Sequence, residues 1–129
     1  MLDATGRQVP MANILIVDDE QLILDMLRLW LEDAGHSVTD ATDGNIALVK
    51  MKETKIDILV SDLFMPEKEG TELIMEVRNA YPETAIIAIS GHQKGSVHLA
   101  TAKKLGADHI LSKPFDQHEF LQTITNQLS

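Results

Sequence analysis

The 129-residue chain has room for one domain with a substantial core and not for two of ordinary size. Its 20 acidic and 11 basic residues give a formal charge of −9, which argues against a sequence-blind binder of phosphate backbones, and the lack of cysteine excludes disulfide and thiolate chemistry. No apolar run approaches the roughly 18 residues of a membrane span and the N-terminus has no charged-then-apolar order, so neither anchor nor secretion signal is read and the cytoplasm is the expected location.

Residues 1–12 mix Asp3, Gly6, Arg7, Gln8 and Pro10 without apolar periodicity and read as a loose extension ahead of a single domain over 13–129. Asn13 to Val17 is a buried-strand run stopped by Asp18-Asp19-Glu20. From Gln21 the period becomes helical, with Leu22, Ile23, Met26, Leu27, Trp30 and Leu31 as one broad inner stripe and Ala34-Gly35 as its close. Ser37 to Ala41 is a weaker strand expected near a sheet edge, followed by a helix that opens at Asp43-Gly44 with Ala47, Leu48 and Met51 inward.

Asp57 to Ser61 is a third strand, and its apolar run ends on Asp62. A helix after Pro66 and Gly70 carries Leu73, Ile74, Val77 and Ala80 to a stop at Tyr81-Pro82. Thr84 to Ile89 is a fourth strand ending on Ser90-Gly91, with a weakly amphipathic helix over Lys94 to Leu105. Asp108 to Ser112 is the fifth strand, leading to Lys113-Pro114. The last helix opens on the capping pair Asp116 and Glu119 and faces inward with Phe120, Leu121, Ile124 and Leu128. Five strand-helix units with short connections predict a three-layer, doubly wound α/β fold, a (βα)5 parallel sheet with helices on both faces.

Every strand of such a sheet ends on one rim, where open α/β sheets collect their ligands. Asp18 and Asp19, Asp62, Ser90 and Lys113 fall there. Carboxylates that converge repel one another unless a cation neutralises them, and oxygen donors without His or Cys favour Mg²⁺. Beside a metal and a lysine, the Asp62 carboxylate can attack phosphorus and form an acyl phosphate, with Ser90 as a hydroxyl donor to the same oxygens. Each residue also has a plain structural reading. Asp18-Asp19-Glu20 suits a helix N-terminus, Ser90-Gly91 a turn, and Lys113 a solvated surface. The five histidines have no metal-ligand spacing and read as surface residues, and Trp30 and the methionines read as core filling.

Together these residues resemble the receiver domain of two-component response regulators, a flavodoxin-like family with strand order 2-1-3-4-5. The resemblance runs from about Asn13 to Leu128 and rests on Val17-Asp18-Asp19-Glu20, Asp62-Leu63-Phe64-Met65-Pro66, Gly70 eight residues after that aspartate, Ser90-Gly91, Gly106-Ala107-Asp108 and Lys113-Pro114-Phe115. It implies that Asp62 is the phosphoacceptor, charged by a partner histidine kinase or histidine phosphotransfer protein. Asp19, Asp62 and the backbone carbonyl of Phe64 would ligate Mg²⁺ directly and Asp18 through water. Lys113 would bind a phosphoryl oxygen, and Ser90 would move toward the phosphoryl group, drawing the loop and helix after the fourth strand with it. The family usually has an aromatic residue three positions before the lysine, where this chain has Ile110, so a packing change at Ile110 is expected in place of an aromatic rotation.

The resulting expectation is a phosphorylation-activated signalling switch rather than an enzyme, with self-phosphorylation and autodephosphorylation on Asp62 as its only chemistry. An aspartyl-phosphate phosphohydrolase is a weaker reading, because Asp18-Asp19-Glu20-Gln21 lacks an acid two residues after a first-strand nucleophile. A non-phosphorylated interaction module of the same fold is weaker still as a flavodoxin-type binder, for acidic residues replace a phosphate-cradling loop after the first strand. With Ser129 following directly on the last apolar position, the output is expected to be a separate protein target or an output domain not included here. A dimer is expected, if at all, through the face of the helix after the fourth strand and the last helix, which offers Lys103, Lys104, Asp116 and His118.

Overall fold

Short runs of Ile, Leu and Val give the strands of this chain, and the sheet they build sets the position of everything else. The computed structural model describes residues 11–63, 70–91 and 103–128. Strands β1 (Asn13–Val17), β2 (Ser37–Ala41), β3 (Ile58–Asp62), β4 (Ala85–Gly91) and β5 (His109–Lys113) form one five-stranded parallel sheet in the order β2-β1-β3-β4-β5. Helices α1 (Gln21–Asp33), α2 (Gly44–Glu53), α3 (Gly70–Ala80) and α4 (Gln117–Leu128) cover it. Of the helix expected over Lys94 to Leu105, only residues 103–105 are described, and they are helical. Residues 1–10 of the expected extension lie outside the described residues. The chain is already tied in at Ala12, which is buried and whose carbonyl accepts from Ser37 N–H at 3.0 Å.

Alternation along the strands divides the core in two. Leu15, Val17, Leu59, Ile86 and Ala88 point to one face and pack with Ala47 and Met51 of α2 and Leu73, Ile74 and Val77 of α3. Ile14, Ile16, Ile58, Val60, Ile87, Ile89 and Leu111 point to the other and pack with Leu24, Leu27 and Leu31 of α1 and Phe120 and Ile124 of α4. All of β3 is buried, as a strand between two helical layers must be, whereas β2 at the edge is only half covered. On the second face Trp30, Phe115 and Phe120 form an aromatic group with ring centroids 5.8 to 6.5 Å apart.

Several residues sit differently from the expectation. The inner stripe expected for α1 holds at the buried Leu27 and Leu31 and at Ile23, Met26 and Trp30, which pack partly buried against the core; Leu24 joins it, and Leu22 projects into solvent. Ala80 is exposed, and β4 runs on through Ser90 and Gly91 and β5 through Lys113. His36 is buried rather than on the surface. Its Nδ1 accepts from Ala12 N–H at 3.1 Å, and burial holds its pKa below the ordinary value by disfavouring the charged ring. His109 and His118 are exposed, and His92 and His98 lie outside the described residues. Among the methionines, Met51 fills the core but Met11 and Met75 are exposed.

Two glycines fix how α3 is mounted. Gly70 begins the helix directly against the end of β3, donating its N–H to Leu63 O at 3.2 Å. A Cβ there would collide with the Asp62 carbonyl oxygen and lie 2.6 Å from Leu63 Cα, so only glycine allows this approach. At the other end, Arg78 donates to Gly106 O at 2.8 and 3.1 Å, to Pro82 O and Thr84 O, and to Asp108 Oδ2 at 2.6 Å. Asp108 Oδ2 also accepts from Ile86 N–H, and Gly106 has φ +123°. The Gly106-Ala107-Asp108 motif is thus a latch that ties α3 to the start of β5. Gly70→Ala should lower stability by about 1–3 kcal/mol, since the backbone around Asp62 must shift to admit the methyl group. Urea unfolding midpoints check this, and an unchanged midpoint would contradict it.

Candidate functional site

The strand register brings the rim residues together. Val17 pairs with Ser61 and Asp62 with Ile89, so Asp18 and Asp62 leave the adjacent strands β1 and β3 at the same level. Ser90 pairs with Ser112 and Gly91 with Lys113, so the lysine lies slightly beyond that level and reaches back along the rim. The Lys113–Pro114 peptide is cis.

Asp18 and Asp62 are both buried, at 2% and 7% exposure. The Lys113 ammonium lies 3.8 Å from Asp18 Oδ2 and 3.7 Å from Asp62 Oδ2, placing one cation between two carboxylates. Asp18 Oδ1 accepts from Glu20 N–H at 2.8 Å, which turns the chain from β1 into α1 and fixes the carboxylate. Burial pushes the pKa of Asp18 up from 3.8 to about 6, against the Glu20 hydrogen bond, and Asp62 adds to the rise while Lys113 opposes it.

Asp18, Asp19 and Glu20 form an acidic cluster whose carboxylate oxygens lie within 4.8 Å of one another, Asp18 buried and the other two exposed. Oxygen donors of this kind fit a hard divalent cation, Mg²⁺ above all, and a cation would relieve the repulsion between buried carboxylates. Glu20 is the member to which the sequence reading gave no role, although it follows directly on Asp19. Asp62 lies outside that cluster and joins the site through Lys113. Ser90 is fully buried and its hydroxyl donates to Gly91 O at 3.2 Å. Phe64 lies outside the described residues. Ile110 is partly buried against the core on the α2 and α3 side. Lys103, Lys104, Asp116 and His118 are all exposed. A buried carboxylate facing an ammonium, with an acidic cluster beside it, is equipped to accept a phosphoryl group.

The response regulator receiver domain family matches residues 14–125. Response regulator SaeR of Staphylococcus aureus is 33% identical over 121 residues, covering 92% of this chain and 51% of SaeR. The chain thus spans about half the length of the curated relatives it matches. Among solved structures, the chemotaxis protein CheY4 of Vibrio cholerae is 34% identical with a TM-score of 0.85, covering 92% of this chain and all of that one. A CheY-like receiver domain protein of Methanospirillum hungatei is 28% identical with a TM-score of 0.87, covering 92% and 94%.

The raised pKa of Asp18 has a definite sign. The folded chain keeps a proton on Asp18 that the unfolded chain loses above about pH 4, so this residue supports folding fully at low pH and the support fades as pH rises through about 6. Asp18→Asn removes the titration. In metal-free buffer the urea midpoint of the wild type should therefore fall relative to that of Asp18→Asn between about pH 4 and pH 7, leaving the variant more stable at pH 7. Parallel pH profiles for the two proteins would contradict this.

Proposed function

Given that the chain belongs to the response regulator receiver domain family of two-component systems, we propose that it is a phosphorylation-activated switch with Asp62 as phosphoacceptor. The observation that carries this reading is the Lys113 ammonium, 3.7 Å from Asp62 Oδ2 and 3.8 Å from Asp18 Oδ2. A carboxylate oxygen of Asp62 attacks the phosphorus of a phosphohistidine on a partner histidine kinase or phosphotransfer protein. The P–N bond breaks, the imidazole leaves with the electron pair and takes up a proton, and an acyl phosphate remains on Asp62. Lys113 pairs with a phosphoryl oxygen. Asp19 and Asp62, with the Phe64 carbonyl, would hold Mg²⁺ directly, and Asp18 through water. When bound, the ion supplies charge neutralisation on the oxygens in transfer. Attack by water on phosphorus later breaks the acyl O–P bond, releasing inorganic phosphate and restoring the carboxylate.

Phosphorylation replaces a single charge with a dianionic group rich in acceptor oxygens beside Lys113. Driving a loop from mostly off to mostly on takes about 5 kcal/mol of differential contact, more than one charge-assisted hydrogen bond provides, so Ser90, Lys113 and the metal act jointly. The segment after Ser90 shifts with repacking at Ile110, and the change is read by a protein target or by a further domain joined to this one. Structures with and without a phosphoryl mimic in which that segment and Ile110 do not move would contradict this route. For the phosphoacceptor itself, intact mass after incubation with acetyl phosphate and Mg²⁺ should show one added phosphoryl group in the wild type and none in a folded Asp62→Asn variant. Equal labelling of the two would overturn the assignment.

A further inference from the structure

Helices α1 and α2 each carry two exposed apolar residues on the side that faces away from the sheet, where a solvated helix is normally polar. At about 100° per residue, Leu22 and Leu29 lie opposite the sheet-facing Leu24, Leu27 and Leu31. They are 81% and 59% exposed, and the exposed acids Asp25, Asp33 and Glu32, the last paired with Arg28 at 3.3 Å, border them. On α2, Ala47 and Met51 face the sheet, while Ile46 and Val49 project outward, 39% and 55% exposed. Lys50 and Lys52 flank that pair, with Lys55 just beyond the helix, and the exposed Glu53 continues the stripe at its end. In a chain of formal charge −9 a ridge with three lysines to one acid is the local exception.

Helix α1 packs on one face of the sheet and α2 on the other, so the two ridges of one molecule point apart. Pairing α1 with α1 would set acids against acids, and α2 with α2 lysines against lysines, whereas α1 against α2 matches leucines to Ile46 and Val49 and carboxylates to ammonium groups. We propose that these ridges are the two halves of one head-to-tail contact between copies of this chain, α1 of one copy docking on α2 of the next. Such a contact is heterologous, so it does not close on itself in a pair, and its small apolar centre makes it weak and fast to exchange.

Sedimentation velocity over a rising protein concentration tests it. The wild type should sediment faster as concentration rises, less so at high salt. Leu22→Ser with Leu29→Ser, or Ile46→Ser with Val49→Ser, should each weaken association at least about tenfold. An equimolar mixture of these two variants should recover a complex that stops at one copy of each, since each retains the ridge the other lacks. A charge-reversed pair at solvated positions, Asp25→Lys and Lys52→Glu, gives a second reading if the serine variants lose their fold. Each should associate more weakly than the mixture of the two. Concentration-independent sedimentation of the wild type overturns the proposal, as do single variants that associate like the wild type or mixtures no stronger than their components.

Discussion

Two carboxylates buried at the ends of neighbouring strands are an unfavourable arrangement, and at this rim a single lysine stands between them. Asp18 and Asp62 are brought level by the β1–β3 register, and Lys113 arrives from β5, across the intervening β4. The ammonium lies within 4 Å of both without a close hydrogen bond to either. Burial is the main reason the pKa of Asp18 is raised, and Asp62 adds to the rise against Lys113, so a cation or a change in the charge of Asp62 would alter it directly.

The remainder of the fold holds these groups in place. Helix α3 is anchored to Asp62 itself through the close approach of Gly70, and its far end is latched by Arg78 to Gly106 and Asp108 just before β5, the strand that carries Lys113. The helix therefore joins the strand of one ionic partner to the approach of the other.

Much of this was legible in the residues. Apolar runs of strand length, each stopped by a polar residue at the same relative place, gave the parallel sheet and its functional rim, because buried parallel strands are the segments where sequence and environment agree most closely. Of the inner stripe expected for α1 only Leu22 falls outside the core, because at about 100° per residue it lies just past the edge of the arc that Met26, Trp30 and Ile23 begin. The burial of His36 depends on the backbone N–H of Ala12, a contact from 24 positions away that leaves no local signature. Arg78 likewise reads as an ordinary solvated cation in the last turn of a helix, and its latch depends on carbonyls supplied by two separate loops. Glu20 was in plain view, but its membership in the acidic cluster needed the turn that its own N–H makes with Asp18.

Carboxyl-carbon NMR titration of Asp18 with and without Mg²⁺ addresses the partly neutralised pair most directly. In metal-free buffer Asp18 should titrate near pH 6, and saturating Mg²⁺ should move that titration well down toward or below the ordinary carboxylate range. An Asp18 that titrates at its ordinary value of 3.8 and ignores Mg²⁺ would show that the carboxylates at this rim neither strain against one another nor hold a cation.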